Sequence, residues 1–204
     1  TDVAGAVTLS KGTLTGEGIT ARSGGARARE GTLRLGLVQP DSPFHTEFLA
    51  VVDPGALRAL LQRLVPDRGF QEELDRLRDP KGSISGRVVL GERLSSIRAI
   101  AHATDVRLTT LYDRVPFPLT IEGGKVDYEG DRIGFSGLRG RLGGSSFAGL
   151  TGRVALGEAP GASLDSGQAR LSVDELFPWL SSTDLAREAL SHVKSARGTV
   201  EVSS

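Results

Sequence analysis

The chain has 204 residues, 38% hydrophobic and 25% charged, and its 25 basic side chains balance its 25 acidic ones. It is long and apolar enough for a sizeable core, and zero net charge removes any bulk attraction to nucleic acid or an anionic surface. The absence of cysteine excludes disulfides, thiolate zinc sites and a cysteine nucleophile.

Residues 1–40 read as the first strands of a sheet, since AVTLSKGTLTG and GTLRLGLV alternate apolar with polar. Between them RSGGARAREG, with Arg22, Arg27 and Arg29, reads as a flexible surface loop. Residues 41–91 read as a strand, a helical hairpin and a second strand. PFHTEFLAVV is the first strand; in PGALRALLQRLV, Leu57, Leu60, Leu61 and Leu64 then take helical spacing, with Asp53 as cap and Pro54 in the first turn. A second helix is predicted in FQEELDRLR, ending before Asp79-Pro80, and GSISGRVVL returns as a strand.

Residues 92–166 read as a glycine-punctuated meander that includes DVRLTTLY and FPLTIEGGKVDYEG. A two-residue turn at Gly130-Asp131 pairs Glu129 with Arg132, Tyr128 with Ile133 and Val126 with Phe135. A three-residue loop Gly143-Gly144-Ser145 pairs Leu142 with Ser146 and puts Leu142, Ala148, Leu150, Val154 and Leu156 on one face. A two-residue loop there brings Phe147 onto the Leu142 face instead. Residues 167–204 read as a second, truncated strand–helical hairpin–strand unit, with helical spacing in DELFPWL and STDLAREALSHVK and a cap at Ser182 or Thr183. Both units run from Val-Asp (Val52-Asp53, Val173-Asp174) through a Leu-rich helix to basic-Gly-small-β-branched (Lys81–Ile84, Arg197–Val200), which suggests a repeat of roughly 120 residues in an elongated body.

The residue patterns argue against catalysis. The glycine run at Gly137, Gly140 and Gly143 leads into a strand pattern, so the helix that a dinucleotide fingerprint needs is missing; GEGITA fails for the same reason. Asp127, Glu129 and Asp131 alternate as a solvated strand face does, with Leu138 where a calcium loop needs Glu. His45, His102 and His192 lack metal-ligand spacing, and no GxSxG elbow occurs. Trp179 reads as a helix-end anchor. No enzyme, metal or cofactor is expected. No segment has the ~20 apolar residues of a spanning helix, and no signal peptide is present. A start at Thr1 without methionine and an end in TVEVSS point to a piece of a longer protein, with any anchor outside it.

A sheet with one oily face must bury it against sheet, helix or something that is not protein. An ordinary sandwich or helix-capped core is one solution, and a curved sheet with a groove for acyl chains is the other. Val126 and Tyr128, then Ile133-x-Phe135, Leu138-x-Gly140-x-Leu142-Gly143 and Gly149-x-x-Gly152-x-Val154 resemble the strand block of the AsmA-like family, which includes the TamB and YhdP types. Residues 49–90 are similar to units of the YhdP branch. The resemblance spans residues 44–204. It implies a periplasmic β-groove, of a protein anchored in the inner membrane, that conducts phospholipid to the outer membrane without catalytic residues. Its lipid-facing positions map onto Val126, Tyr128, Ile133, Phe135, Leu142, Leu150, Val154 and Leu156. The expected fold is α+β: a strongly twisted, mainly antiparallel sheet with two helical hairpin insertions. Expected partners are phospholipid acyl chains and other envelope proteins, with no nucleic acid. The alternative is a structural module that docks a protein partner along a sheet edge and touches no lipid.

Overall fold

A computed structural model of the protein describes residues 2–38, 41–58, 68–156, 161–183, 192–193 and 195–203. Its architecture is one eleven-stranded antiparallel sheet in which every strand pairs only with its sequence neighbours, from β1 to β11. The strands are β1 (Asp2–Ser10), β2 (Thr13–Ser23), β3 (Ala26–Gly36), β4 (Pro43–Val52), β5 (Leu77–Arg93), β6 (Ser96–Tyr112), β7 (Pro118–Glu129), β8 (Arg132–Leu142), β9 (Ser145–Ala155), β10 (Gly161–Ser172) and β11 (Thr199–Ser203). Among the described residues helix is sparse: helical residues 54–58, α1 (Arg68–Asp75) and α2 (Val173–Ser182). The molecule is therefore strand-dominated.

Neighbouring strands alternate in direction, so β2, β4, β6, β8 and β10 all finish at one rim. Both helical insertions leave from that rim, after β4 and after β10, and each returns into the strand that pairs with the one it left: Val52 faces Ile84, and Leu171 faces Val200. At the opposite rim the chain reverses in two-residue turns at Lys11-Gly12, Leu94-Ser95 and Gly130-Asp131. Among the described residues the sheet thus carries helix at one rim and not at the other.

Several local expectations change. The stretch carrying Arg22, Arg27 and Arg29 is strand up to a turn at Gly24-Gly25, because Ala21, Ala26 and Ala28 supply the alternation that the arginines obscure. The loop after β8 has two residues, and Leu142 pairs with Ser145 instead of Ser146, with Gly143 at φ +56° making the tight turn. β5 starts at Leu77 and runs through Asp79-Pro80, absorbing the proline at a register shift between Arg78 and Lys81. Leu60, Leu61 and Leu64, and the helix predicted beyond Thr183, lie outside the described residues.

Candidate functional site

Directly opposed residues on paired strands share a face, so the registers sort the whole sheet. One cross-strand row reads Val3, Ala21, Ala28, Ala50, Gly86, Ala103, Val126, Phe135, Gly152, Leu164. A second reads Phe48, Val88, Ala101, Tyr128, Ile133, Val154, Ala162. Both rows are apolar throughout. The opposite face carries Asp127, Arg153, Glu47 and their neighbours.

Keeping one face apolar over such long strands requires β-bulges. Phe135 and Leu138 are three residues apart and would point to opposite sides of a regular strand. Gly137, at φ +62°, adds the extra residue that puts both on one face, opposite Gly152 and Leu150. Gly149, at φ +67°, does the same on β9: Phe147 pairs with Gly140 and Leu150 with Leu138 on the apolar side, and Ala148 turns outward. Register shifts also fall between Gly16 and Ile19, Arg29 and Thr32, Ser85 and Gly86, Gly123 and Lys125, and Leu164 and Gln168. Each bulge bends its strand and raises the local twist. Where a face position is glycine, a neighbouring ring takes the space. A Cβ on Gly152 would stand 2.7 Å from Phe135 Cζ, and one on Gly140 would stand 2.8 Å from Phe147 Cζ.

The apolar face opens a recess of about 200 Å³ lined from five successive strands, β4 to β8. Ala50, Ala101 and Ala103 contribute small side chains and Gly86 bare backbone, with Val52, Ile84, Val88, Val106, Val126, Tyr128 and Ile133 around them and Leu57 from the helical rim. Burial raises the Tyr128 phenol above its usual pKa, so the ring enters the site neutral. Seven large apolar residues of the same face, Val3, Val7, Leu9, Ile97, Leu164, Val200 and Val202, stay exposed. Among the described residues no second sheet covers them, and α2 has no buried residue.

The helical rim is held by polar contacts. Glu73 of α1 accepts hydrogen bonds from the Tyr112 hydroxyl and the Arg114 guanidinium, and these hold its pKa below the ordinary value of 4.5 despite some desolvation. Burial, with the same hydrogen bond, raises the Tyr112 pKa. Asp53 Oδ1 accepts from Gly55 N at 2.8 Å and caps the first turn. In the second insertion Gly144 N donates to Glu175 at 2.7 Å and Gly198 N donates to Asp174 at 3.0 Å. Phe117 meets Trp179 edge-to-face with ring centroids 6.2 Å apart.

The structure brings Val126, Tyr128 and Ile133 into the recess itself and sets Phe135, Leu142, Leu150 and Val154 on the same face beside it. Leu156 lies just past β9, where its N–H donates to Asp131 O at 2.7 Å. Phe147 belongs to the face, as the two-residue loop after Leu142 predicts, and Leu138 belongs to it as well. Ile84, Val88 and Val106 also belong to the recess, as do Ala50, Ala101 and Ala103, whose small side chains give a weak alternation. Chemically the face offers dispersion contact and exclusion of water. Among the described residues no group of three metal-ligating side chains converges, and no helix is long and apolar enough to cross a membrane. The chain matches no protein-family model, no curated protein and no solved structure.

Proposed function

We propose that this chain is a non-catalytic segment of a periplasmic, AsmA-like protein, and that its apolar sheet face holds or conducts phospholipid acyl chains toward the outer membrane. In this reading the fold is a β-groove with helical hairpins inserted after β4 and after β10, anchored to the inner membrane through segments outside this chain. The observation that carries the reading is a continuous apolar surface contributed by neighbouring strands, with a small-residue recess and, among the described residues, no second sheet over it. Burying apolar area contributes about 25 cal/mol per Å², so an acyl chain covering on the order of 200 Å² gains about 5 kcal/mol before ordering costs. That is enough for occupancy and weak enough for sliding.

The test is photo-crosslinking in cells. Crosslinkers at Phe135 and Val154 are expected to capture phospholipid. Those at Asp127, which pairs with His102 at 2.7 Å, and at Arg153, which pairs with Asp165 at 3.4 Å, face away and are expected to capture none. Equal capture at all four, or none at any, would overturn the reading.

A second reading rests on β1, which is exposed along its whole length and has one unpaired edge. A partner protein could add a strand there. In that case crosslinks at β1 would yield protein adducts while Phe135 and Val154 stay free of lipid.

A further inference from the structure

On the polar face, five basic groups are matched across strands to acidic ones. Arg87 meets Glu47 at 2.7 Å, His102 meets Asp127 at 2.7 Å, Arg98 meets Glu129 at 3.3 Å, Arg141 meets Glu122 at 3.4 Å and Arg153 meets Asp165 at 3.4 Å. One corner instead sets basic groups against each other. Arg22 of β2 stands directly opposite Arg27 of β3, and Arg29 follows Arg27 two residues on, on the same face. Opposed residues of an antiparallel pair lie about 5 Å apart, and like charges so placed repel.

Among the described residues, neither Arg22 nor Arg27 forms an ion pair, and Arg29 reaches only its exposed sequence neighbour Glu30, at 3.8 Å. Asp2, across from Arg22 on β1, shares the corner without closing an ion pair. All three arginines line one open depression of about 650 Å³, with Thr20 beside them and Leu49 and Val51 contributing apolar surface.

We propose that this corner is an oxyanion site that takes a phosphate-class group, carried on a lipid headgroup or free in solution. Three arginines around one depression carry forked donors matched to tetrahedral oxygens, and the Thr20 hydroxyl, which donates to Ala4 O at 3.5 Å, lies beside them. Bound anion neutralises the Arg22–Arg27 repulsion, so the repulsion in the empty site is relieved by occupancy. The site lies on the face opposite the apolar recess and is independent of the lipid-groove reading.

The test is calorimetric titration of the whole chain with inorganic phosphate, against sodium chloride at matched ionic strength. Wild type is expected to bind. Arg27→Gln and, separately, Arg22→Gln are expected to weaken binding at least tenfold, while Arg153→Gln, on the same face outside the corner, leaves it unchanged. Removing one of two opposed like charges should leave the melting temperature at or above wild type, which separates lost binding from lost fold. Co-sedimentation with phosphatidylglycerol vesicles, compared with phosphatidylcholine, distinguishes the source. Arg27-dependent sedimentation that inorganic phosphate competes away assigns the site to headgroups. Phosphate binding without vesicle binding assigns it to the free anion. No response to phosphate beyond the salt control, or an equal loss in Arg27→Gln and Arg153→Gln, overturns the proposal.

Discussion

At the scale of single residues, the glycines do two separate jobs. Gly137 and Gly149 supply left-handed backbone at bulges, whereas Gly140 makes room. An added Cβ at Gly140 would stand 2.0 Å from Thr120 O on one side and 2.8 Å from Phe147 Cζ on the other. The backbone contact cannot be relieved by a rotamer change, so β7 and β8 must part. Gly140→Ala is therefore expected to destabilise the protein by roughly 1–3 kcal/mol, the usual cost of overpacking, read as a lower urea midpoint at unchanged m-value. Gly134→Ala is its control, because a Cβ there would meet nothing closer than 3.9 Å. Equal midpoints for the two variants would show that the close approach is not what selects glycine.

At the scale of elements, α1 buries Leu74 and reaches the end of β6 through the Glu73 carboxylate. Glu73 has a depressed folded pKa, caused first by its hydrogen bond from Arg114 and then supported by Tyr112. For a depressed carboxylate the stabilisation is present in full above the unfolded value and is lost as pH falls through the folded value. Docking of α1 is thus expected to be independent of pH from neutrality down to the ordinary value of 4.5 and to loosen below it. Amide exchange of residues 68–76, compared with β6 as an internal reference, reads this directly. Glu73→Gln should exchange faster at neutral pH and lose the acid-dependent step. An unchanged step in Glu73→Gln would assign the transition to another group.

The elements also show what a sequence makes legible. The hairpin at Gly130-Asp131 follows its predicted register, because Val126, Tyr128, Ile133 and Phe135 are bulky and strictly alternating. β2 and β3 were hidden near Arg22, Arg27 and Arg29, where the inward residues are alanines and the outward ones are large and charged. The face of β9 was ambiguous because alternation breaks once at the turn and again at the Gly149 bulge, and the two breaks offset each other. Seven of the eight positions singled out from sequence occupy described strands of a single face, yet most of the recess comes from β4, β5 and β6. Contributions from Ala50, Gly86, Ala101 and Ala103 become visible only when the strands are in register, since small residues signal their face weakly on their own.

At the scale of the molecule, exposed area is the governing quantity. The chain presents 13196 Å² to solvent, whereas a compact monomer of 21.5 kDa presents about 9,200 Å² by the usual scaling. The excess of about 4,000 Å² fits a single sheet that, among the described residues, has no second sheet packed on it. Stability in such an array is a sum of nearest-neighbour strand interfaces, with no central core shared by all. β5 and β6, at 17 residues each, form the longest interface, while β11 has five residues and β1 is exposed throughout. Local opening should therefore cost most at β5 and β6 and progressively less toward both edges. Hydrogen exchange at neutral pH is expected to give a protection profile that peaks there and falls away on either side, with β1 and β11 exchanging first. Adding phospholipid should raise protection most in β4 to β8, which line the recess, and leave the edges nearly unchanged. Uniform protection across all eleven strands would mean that the sheet opens as one unit, and a lipid effect confined to β1 or β11 would move the site from the face to an edge.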